Sequence, residues 1–438
     1  MSDFDNFLTS VRDQYEDLPY PARDPEDEHK RLMETWTDLL GKINHYCFSG
    51  RQNFQKGFRV LVAGGGTGDA TIYLAEQLRK TDAEIVHLDM SAASIAIAKE
   101  RAAKRVLNNI TFVHDSLLNI SPQSLGLFDY INCTGVLHHL ENPEAGFQSL
   151  KSVLKPEGAI CLLVYGQIGR TGIYQMQALL KTLNGDITDK KTLIQRARDV
   201  IKTSPDTNWY RLGRANYPDP DDNDAEIYDL LLHSQDRAYT VPQLYEWLVD
   251  RHGMHIHFTE VGRGNSLYNP RMLVKGTSSE YLNRAMSLPL RQQQEIAELL
   301  GGLMLIRHTF YLTIGSNTEA PYGDAEYVPF IAHEVISGPE LAQYVDGEQQ
   351  RSRTGRILMN HLPTGMALEL KPGKWAKYIL NNIDGRKSFS QIFNLIRGID
   401  KFKKSPPSDE ELFEDFRELF EFLRSIDRLL LRHNTVTL

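Results

Sequence analysis

The stretch Arg59–Asp89, RVLVAGGGTGDATIYLAEQLRKTDAEIVHLD, decides the fold. Val60 to Ala63 reads as a buried strand. Gly64, Gly65, Gly66 and Gly68 follow as a sharp turn, Thr71 to Arg79 as a helix, and Glu84 to Leu88 as a second strand ending on Asp89. Glycines allow positive backbone angles and a close approach to a ligand. The helix that follows aims its N-terminus at the same place. A carboxylate ending the second strand, about twenty residues after the glycines, is placed to accept hydrogen bonds from ribose hydroxyls. These residues predict a site for a nucleoside-bearing cofactor.

The glycine spacing narrows the choice. A dinucleotide fingerprint needs G-x-G-x-x-G or A, yet counting from Gly64 ends on Asp69 and from Gly66 on Thr71. A P-loop is excluded, since no Gly-Lys-Ser/Thr is present. Gly64-x-Gly66-x-Gly68 fits without adjustment to another pattern, and the rest of the chain's order supports it.

Ser91 is a natural cap for a helix SAASIAIAKERAAKRVL, and Ile110 to His114 is a short strand closing on Asp115. Phe128 to Cys133 is a fourth strand, Glu144 to Leu154 a helix and Ala159 to Tyr165 a fifth strand. Such alternation implies right-handed crossovers and a parallel, doubly wound α/β sheet. Ligands then lie beyond the carboxyl ends of its strands. TVPQLYEWLVDRHG, with Thr240 as its cap, predicts a helix, MHIHFTEV a sixth strand and HTFYLTIG a seventh.

From Phe58 to Gly166 the chain resembles the class I S-adenosylmethionine-dependent methyltransferases. VAGGGTGD is similar to their first motif, HLD with Asp89 to the acidic ribose-binding motif, and VHDSL with Asp115 and Ser116 to the adenine-reading segment. FDYINCTGVLHHL and LKPEGAICLLVYG are similar to the fourth motif and the fifth strand. The resemblance implies a Rossmann-like seven-stranded sheet, its last strand antiparallel, and S-adenosyl-L-methionine as cofactor. It implies that Gly64, Gly65, Gly66 and Gly68 wrap the methionine end, with Met90 beside Asp89 and with Asp115 reading adenine. Many members carry an acidic residue where this chain has Val62, so the methionine ammonium is expected to turn to Asp69 or the Thr134 carbonyl. His138 and His139 are the candidate bases, because imidazole titrates near neutrality. One or both could equally pack the loop. A non-catalytic cofactor-binding scaffold or sensor is the competing expectation.

The remaining segments frame that sheet. Phe4 to Tyr15 predicts a short helix, Pro19, Pro21 and Pro25 a break, and Glu28 to Gly41 a helix with Leu32, Met33, Trp36, Leu39 and Leu40 inward. Residues 1–57 are expected to form an arm or lid, with Tyr20 and Arg23 toward the acceptor. Residues 58–316 form the cofactor domain, with helical insertions at 171–235 and 265–305. From these and their flanks, Tyr165, Arg170, Tyr174, His233, Asp236, Arg237 and Tyr239 are acceptor-pocket candidates. The acidic run from Asp219 to Asp224 lacks the glycine and terminal glutamate of a calcium loop. No metal-ligand spacing stands out. PYGDAEYVPF is expected as a linker, and residues 317–438 as a small α+β domain similar to winged-helix peptide-chaperone domains.

Composition bounds the partners. A net charge of −8 over 438 residues disfavours a phosphate-neutralising nucleic-acid surface. No apolar run approaches the ~20 residues that span a bilayer. The N-terminus lacks a basic, then apolar, leader, and Cys47, Cys133 and Cys161 are widely spaced and odd in number. A reduced, cytoplasmic protein is expected. Its methyl acceptor is a peptide or protein side chain in preference to a small metabolite.

Overall fold

The computed structural model describes residues 15–217, 224–233, 236–260, 263–274, 280–332, 336–361 and 366–436. The expected helix from Phe4 lies outside them except for Tyr15, as does the acidic run except for Asp224. By its internal contacts the chain divides into two units. One comprises 1–38, 55–254 and 301–314, and the other 39–54, 255–300 and 315–438.

The first unit is the α/β sheet. Its strands are β1 (Arg59–Ala63), β2 (Glu84–Asp89), β3 (Ile110–His114), β4 (Phe128–Thr134), β5 (Leu154–Gly166) and the short β6 (Ala238–Tyr239); past β7 (His255–Thr259), which counts with the second unit, comes β8 (Arg307–Thr313). The order is β3-β2-β1-β4-β5-β8. The first five are mutually parallel, β6 adds parallel to the end of β5, and β8 returns antiparallel, from Ala159↔Thr313 to Tyr165↔Arg307. The near-continuous apolar runs of β1, β4 and β5 are buried because helices cover both faces of a parallel sheet. Helices Asp69–Gln77, Ala92–Lys104 and Pro143–Ser152 fall close to the expected spans. Thr240 and Gln243 form a reciprocal cap on Val241–Leu244, which continues as a π-helical stretch Tyr245–Arg251.

The insertion after β5 folds as two helices, Thr171–Asn184 and Lys190–Thr203, followed by Trp209–Gly213, Asp224–Ile227 and a π-helical turn Tyr228–Leu232. Ile173, Met176, Leu180, Ile194, Ala197, Tyr210 and Leu231 share a core there. The insertion is therefore held together by its own apolar side chains.

The expected helix Glu28–Gly41 does not form. In its place are two short 3-10 turns, Pro25–His29 and Trp36–Asp38, and the helix Leu40–Cys47. Long-range partners override the local pattern. Glu28 is buried against Arg101 at 2.7 Å and pairs with Arg105. Buried Asp38 accepts from Tyr130 Oη at 2.9 Å and Asn132 Nδ2 at 2.8 Å. A regular helix could not send both carboxylates to these places.

In the second unit, Leu40–Cys47 packs on the last strand, β12 (Leu429–His433), where the Leu431 N–H donates to His45 Nδ1 at 3.0 Å. The expected boundaries at 57 and 316 meet this different division because Leu39–Phe54 and 255–300 find their partners here. Within the expected linker begins β9 (Tyr327–Ile331), paired antiparallel with β12. A hairpin of β10 (Ile357–His361) and β11 (Met366–Leu370) precedes helices Ala376–Asn381, Phe389–Arg397 and Asp409–Ser425. Leu412, Phe416, Leu419, Phe420 and Leu423 of the last helix are buried in this unit's core. Cys47, Cys133 and Cys161 are buried thiols. No described helix is long and apolar enough to cross a membrane.

Candidate functional site

The glycine turn is shaped by backbone demands. Gly64, Gly66 and Gly68 adopt φ of 72°, 53° and 101°, angles that L side chains rarely take. Space is equally tight: a Cβ on Gly64 would stand 2.4 Å from Val136, and one on Gly66 2.5 Å from the Tyr20 carbonyl oxygen. Gly68 is the left-handed residue that opens the helix Asp69–Gln77.

Asp89 ends β2 beneath that turn. One carboxylate oxygen accepts the Gly66 N–H at 2.7 Å and the other the Ser91 N–H at 2.8 Å. Burial pushes its carboxyl upward, while these backbone donors oppose the shift. Asp115, at the end of β3, accepts from the Ser116 N–H and Asn119 Nδ2, each at 2.7 Å. It is exposed.

A cavity of about 520 Å³ joins Gly64, Gly65, Gly66, Asp69, Asp89, Met90, Asp115, Ser116 and Thr134. Val62 lines it too. Asp69 is not left for the methionine ammonium alone. Arg23 donates to both its oxygens, and Arg101 to Oδ1 at 2.8 Å. Burial opposes ionisation, but these guanidiniums hold the carboxyl below its usual range.

The arm crosses the turn. The Thr67 N–H and hydroxyl donate to the carbonyls of Tyr20 and Pro21, at 3.3 and 2.7 Å. The Glu16 carboxylate accepts the N–H groups of Ala92 and Ala93 at the start of the next helix, a favourable end for an anion.

Of the acceptor candidates, Tyr20, Arg23, Tyr165 and Arg170 line the cavity, as does the candidate base His139. Arg170 is buried, 3.2 Å from Asp236 and 3.5 Å above the Tyr165 ring. Tyr174 lies 5.6 Å from the same guanidinium, outside the lining. His138 is sealed behind the wall, 3.8 Å from the Tyr165 ring; burial, then His139 and Arg170, hold its imidazole neutral. His139 faces the cavity, and its ring stacks at 3.9 Å on His233. Arg237 and Tyr239 go elsewhere, to a hollow shared with Glu144 and Trp247, where Tyr239 stacks on Trp247 at 5.2 Å.

Sequence reasoning missed Tyr15, Glu226, Asp229 and Arg307, all on the wall. Asp229 accepts from the phenols of Tyr15 and Tyr165, each at 3.3 Å. Its signal was the spacing Asp229-x-x-x-His233, two ligating side chains four residues apart.

A family model described as a methyltransferase domain matches residues 54–216. The Synechococcus protein syc1184_c is 31% identical over 299 residues, 68% of this chain and 69% of that one. The tRNA 5-carboxymethoxyuridine methyltransferase of Escherichia coli is 35% identical over 112 residues, 25% of this chain and 41% of its own length. Among solved structures, PKMT2 from Rickettsia typhi aligns over 92% of this chain and 76% of its own, with a TM-score of 0.62 at 16% identity. The same protein in complex with AdoHcy aligns with a TM-score of 0.59.

Proposed function

Because the chain belongs to the class I S-adenosylmethionine-dependent methyltransferases, we propose that it methylates a side chain of a peptide or protein. The bound cofactor supplies a methyl group on a sulfonium, open to in-line displacement by a nucleophile. The glycine turn and Asp89 hold the nucleoside and methionine ends, and the 15–29 strap covers them. Tyr20, His139, Tyr165 and Asp229 form the wall that an entering acceptor meets. Alignment there, with exclusion of water, is the protein's main contribution to such a transfer.

The observation that carries the choice of acceptor is the cavity's size. Pockets for single ligands run from about 300 to 1,000 Å³, and here about 520 Å³ serves both reactants. With the cofactor in place, that volume suits the tip of a side chain presented from outside better than a second whole ligand. A second unit with its own core lends further support to a macromolecular acceptor.

Incubating the protein with methyl-labelled cofactor and a cell extract tests this. Label should enter the protein fraction, survive ribonuclease and be lost with Asp89→Ala. Label confined to small molecules would overturn the acceptor class. Cofactor binding with no transfer to any fraction would favour a cofactor-binding scaffold.

A further inference from the structure

We propose that His139, Asp229 and His233 bind one divalent first-row transition-metal ion at the acceptor end of the cavity. One donor atom from each residue lies within 4.8 Å of the others. Metal bonds of about 2.0–2.2 Å to nitrogen and oxygen put neighbouring donors roughly 3–3.5 Å apart. Small side-chain rotations therefore close the three onto an ion.

Local structure brings them together. The π-helical turn Tyr228–Leu232 and the residue after it carry Asp229 and His233, and side chains four apart on a helical stretch share a face. Such π turns occur frequently at functional sites. His139 comes from the 3-10 turn Leu137–His139 behind β4, its backbone fixed by the Val136 carbonyl at 3.0 Å. The two imidazoles stack at 3.9 Å, 26° from parallel.

The carboxylate also has the outer partners that orient metal ligands. Tyr15 and Tyr165 donate to its two oxygens. Outer-shell donors of this kind fix the direction of a ligating group.

Two imidazoles and one carboxylate suit zinc, iron or manganese better than magnesium or calcium, which take all-oxygen shells. Three protein ligands leave positions open, as in catalytic metal sites. His139 and Asp229 line the cavity, so those positions lie on the acceptor's side.

This site rests on the methyltransferase reading only for what it does to the acceptor. An acceptor oxygen or sulfur held there keeps a lone pair after coordination, and its proton leaves for solvent more readily. That lone pair forms the bond to the methyl carbon while the carbon–sulfur bond breaks onto sulfur. An amine would spend its lone pair on the ion. The site therefore selects a hydroxyl, carboxyl or thiol side chain.

The full-length protein, stripped with chelator, would be titrated with Zn2+ by calorimetry and with Mn2+ by paramagnetic resonance. One saturable ion per chain is expected. Asp229→Asn and His233→Ala should abolish it, and Tyr165→Phe should weaken it roughly 10–100-fold. Circular dichroism and S-adenosylhomocysteine affinity confirm that each variant folds. Absence of saturable binding, or binding unchanged in both ligand variants, would overturn the site. Intact binding beside label found only in small molecules would instead sink the peptide acceptor. Undiminished methylation of an amine by the chelator-treated protein would refute the acceptor selection.

Discussion

Arg23 donates to both carboxylate oxygens of Asp69, through Nε at 2.9 Å and Nη2 at 2.7 Å. Asp69 also accepts from buried Arg101, so one carboxylate ties the strap to the first helix after the glycine turn. Removing Arg23 leaves Asp69 with its second partner. Arg23→Ala should weaken S-adenosylhomocysteine binding about tenfold, in line with one lost charge-assisted interaction. The melting temperature should barely move, because Arg23 is partly exposed. Calorimetry beside a thermal melt separates the effects, and an unchanged dissociation constant would show that the strap does not cover the cofactor.

Gly66→Ala should be far more damaging. The new methyl would need a positive φ and would stand 2.5 Å from a backbone oxygen of Tyr20, which cannot swing aside as a side chain would. Strain of this kind costs of order 1–3 kcal/mol. Cofactor affinity should fall with it, since the Gly66 N–H also anchors Asp89. A variant that retained both stability and affinity would show that the strap lies elsewhere in solution.

Much of this is legible in the sequence. The glycine turn is readable because positive φ leaves few residue choices, and Asp89 because a strand end has one place relative to its neighbour. Glu28 and Asp38 were not. They sit in a segment whose apolar spacing mimics a helix, yet their fate is set by Arg101, Tyr130 and Asn132, far off in sequence. Asp229 was hidden for a related reason: it lies in a helical insertion, and its meaning depends on His139, ninety residues earlier on another element. Local patterns report local structure; buried ion pairs and convergent ligands are written at a distance.

Stability should fall in mild acid. Burial, with Lys99 acting in the same sense, holds His87 down to about 4, and burial does the same to His257 against the opposing pull of Glu319. In the unfolded chain both titrate near 6.5. Between those values only the unfolded chain takes up the proton, so stability drops as pH falls from about 6.5 to about 4. Each could contribute up to ~3 kcal/mol. Melts across this window, with His87→Gln flattening part of the slope, check the account. A flat profile in the unaltered protein would refute it.

Glu319 extends the effect to lower pH. Burial works against its ionisation, but Arg424, then His45 and His257, hold its carboxyl well below the usual range. Arg424 is 2.7 Å away. A depressed carboxyl gives stability that is present above its unfolded value, near 4.3, and is lost as pH falls toward the folded one. Glu319→Gln should remove this lower limb of the pH profile while leaving the histidine limb in place.

The last prediction concerns a chain ending at Asn317, the point where sequence patterning suggested that a complete domain had been made. Lys42, fully buried, lies 2.5 Å from Asp427, and Asp427 also accepts from Tyr46 at 2.6 Å and Thr259 at 3.0 Å. Truncation removes Asp427, the strand β12 beside Leu40–Cys47, and most of the apolar core of that unit. A buried charge stripped of its partner costs about 3–5 kcal/mol, before any exposed core is counted. The shortened protein should therefore aggregate, or melt well below the full chain. A chemical control keeps size out of the comparison. Asp427→Ala should be strongly destabilising alone, whereas Asp427→Ala with Lys42→Met should recover much of the loss, because the second change removes the buried ammonium that has lost its carboxylate. Cooperative melting of the truncated chain near the full-length temperature, with cofactor binding intact, would refute the division of the chain drawn from this core.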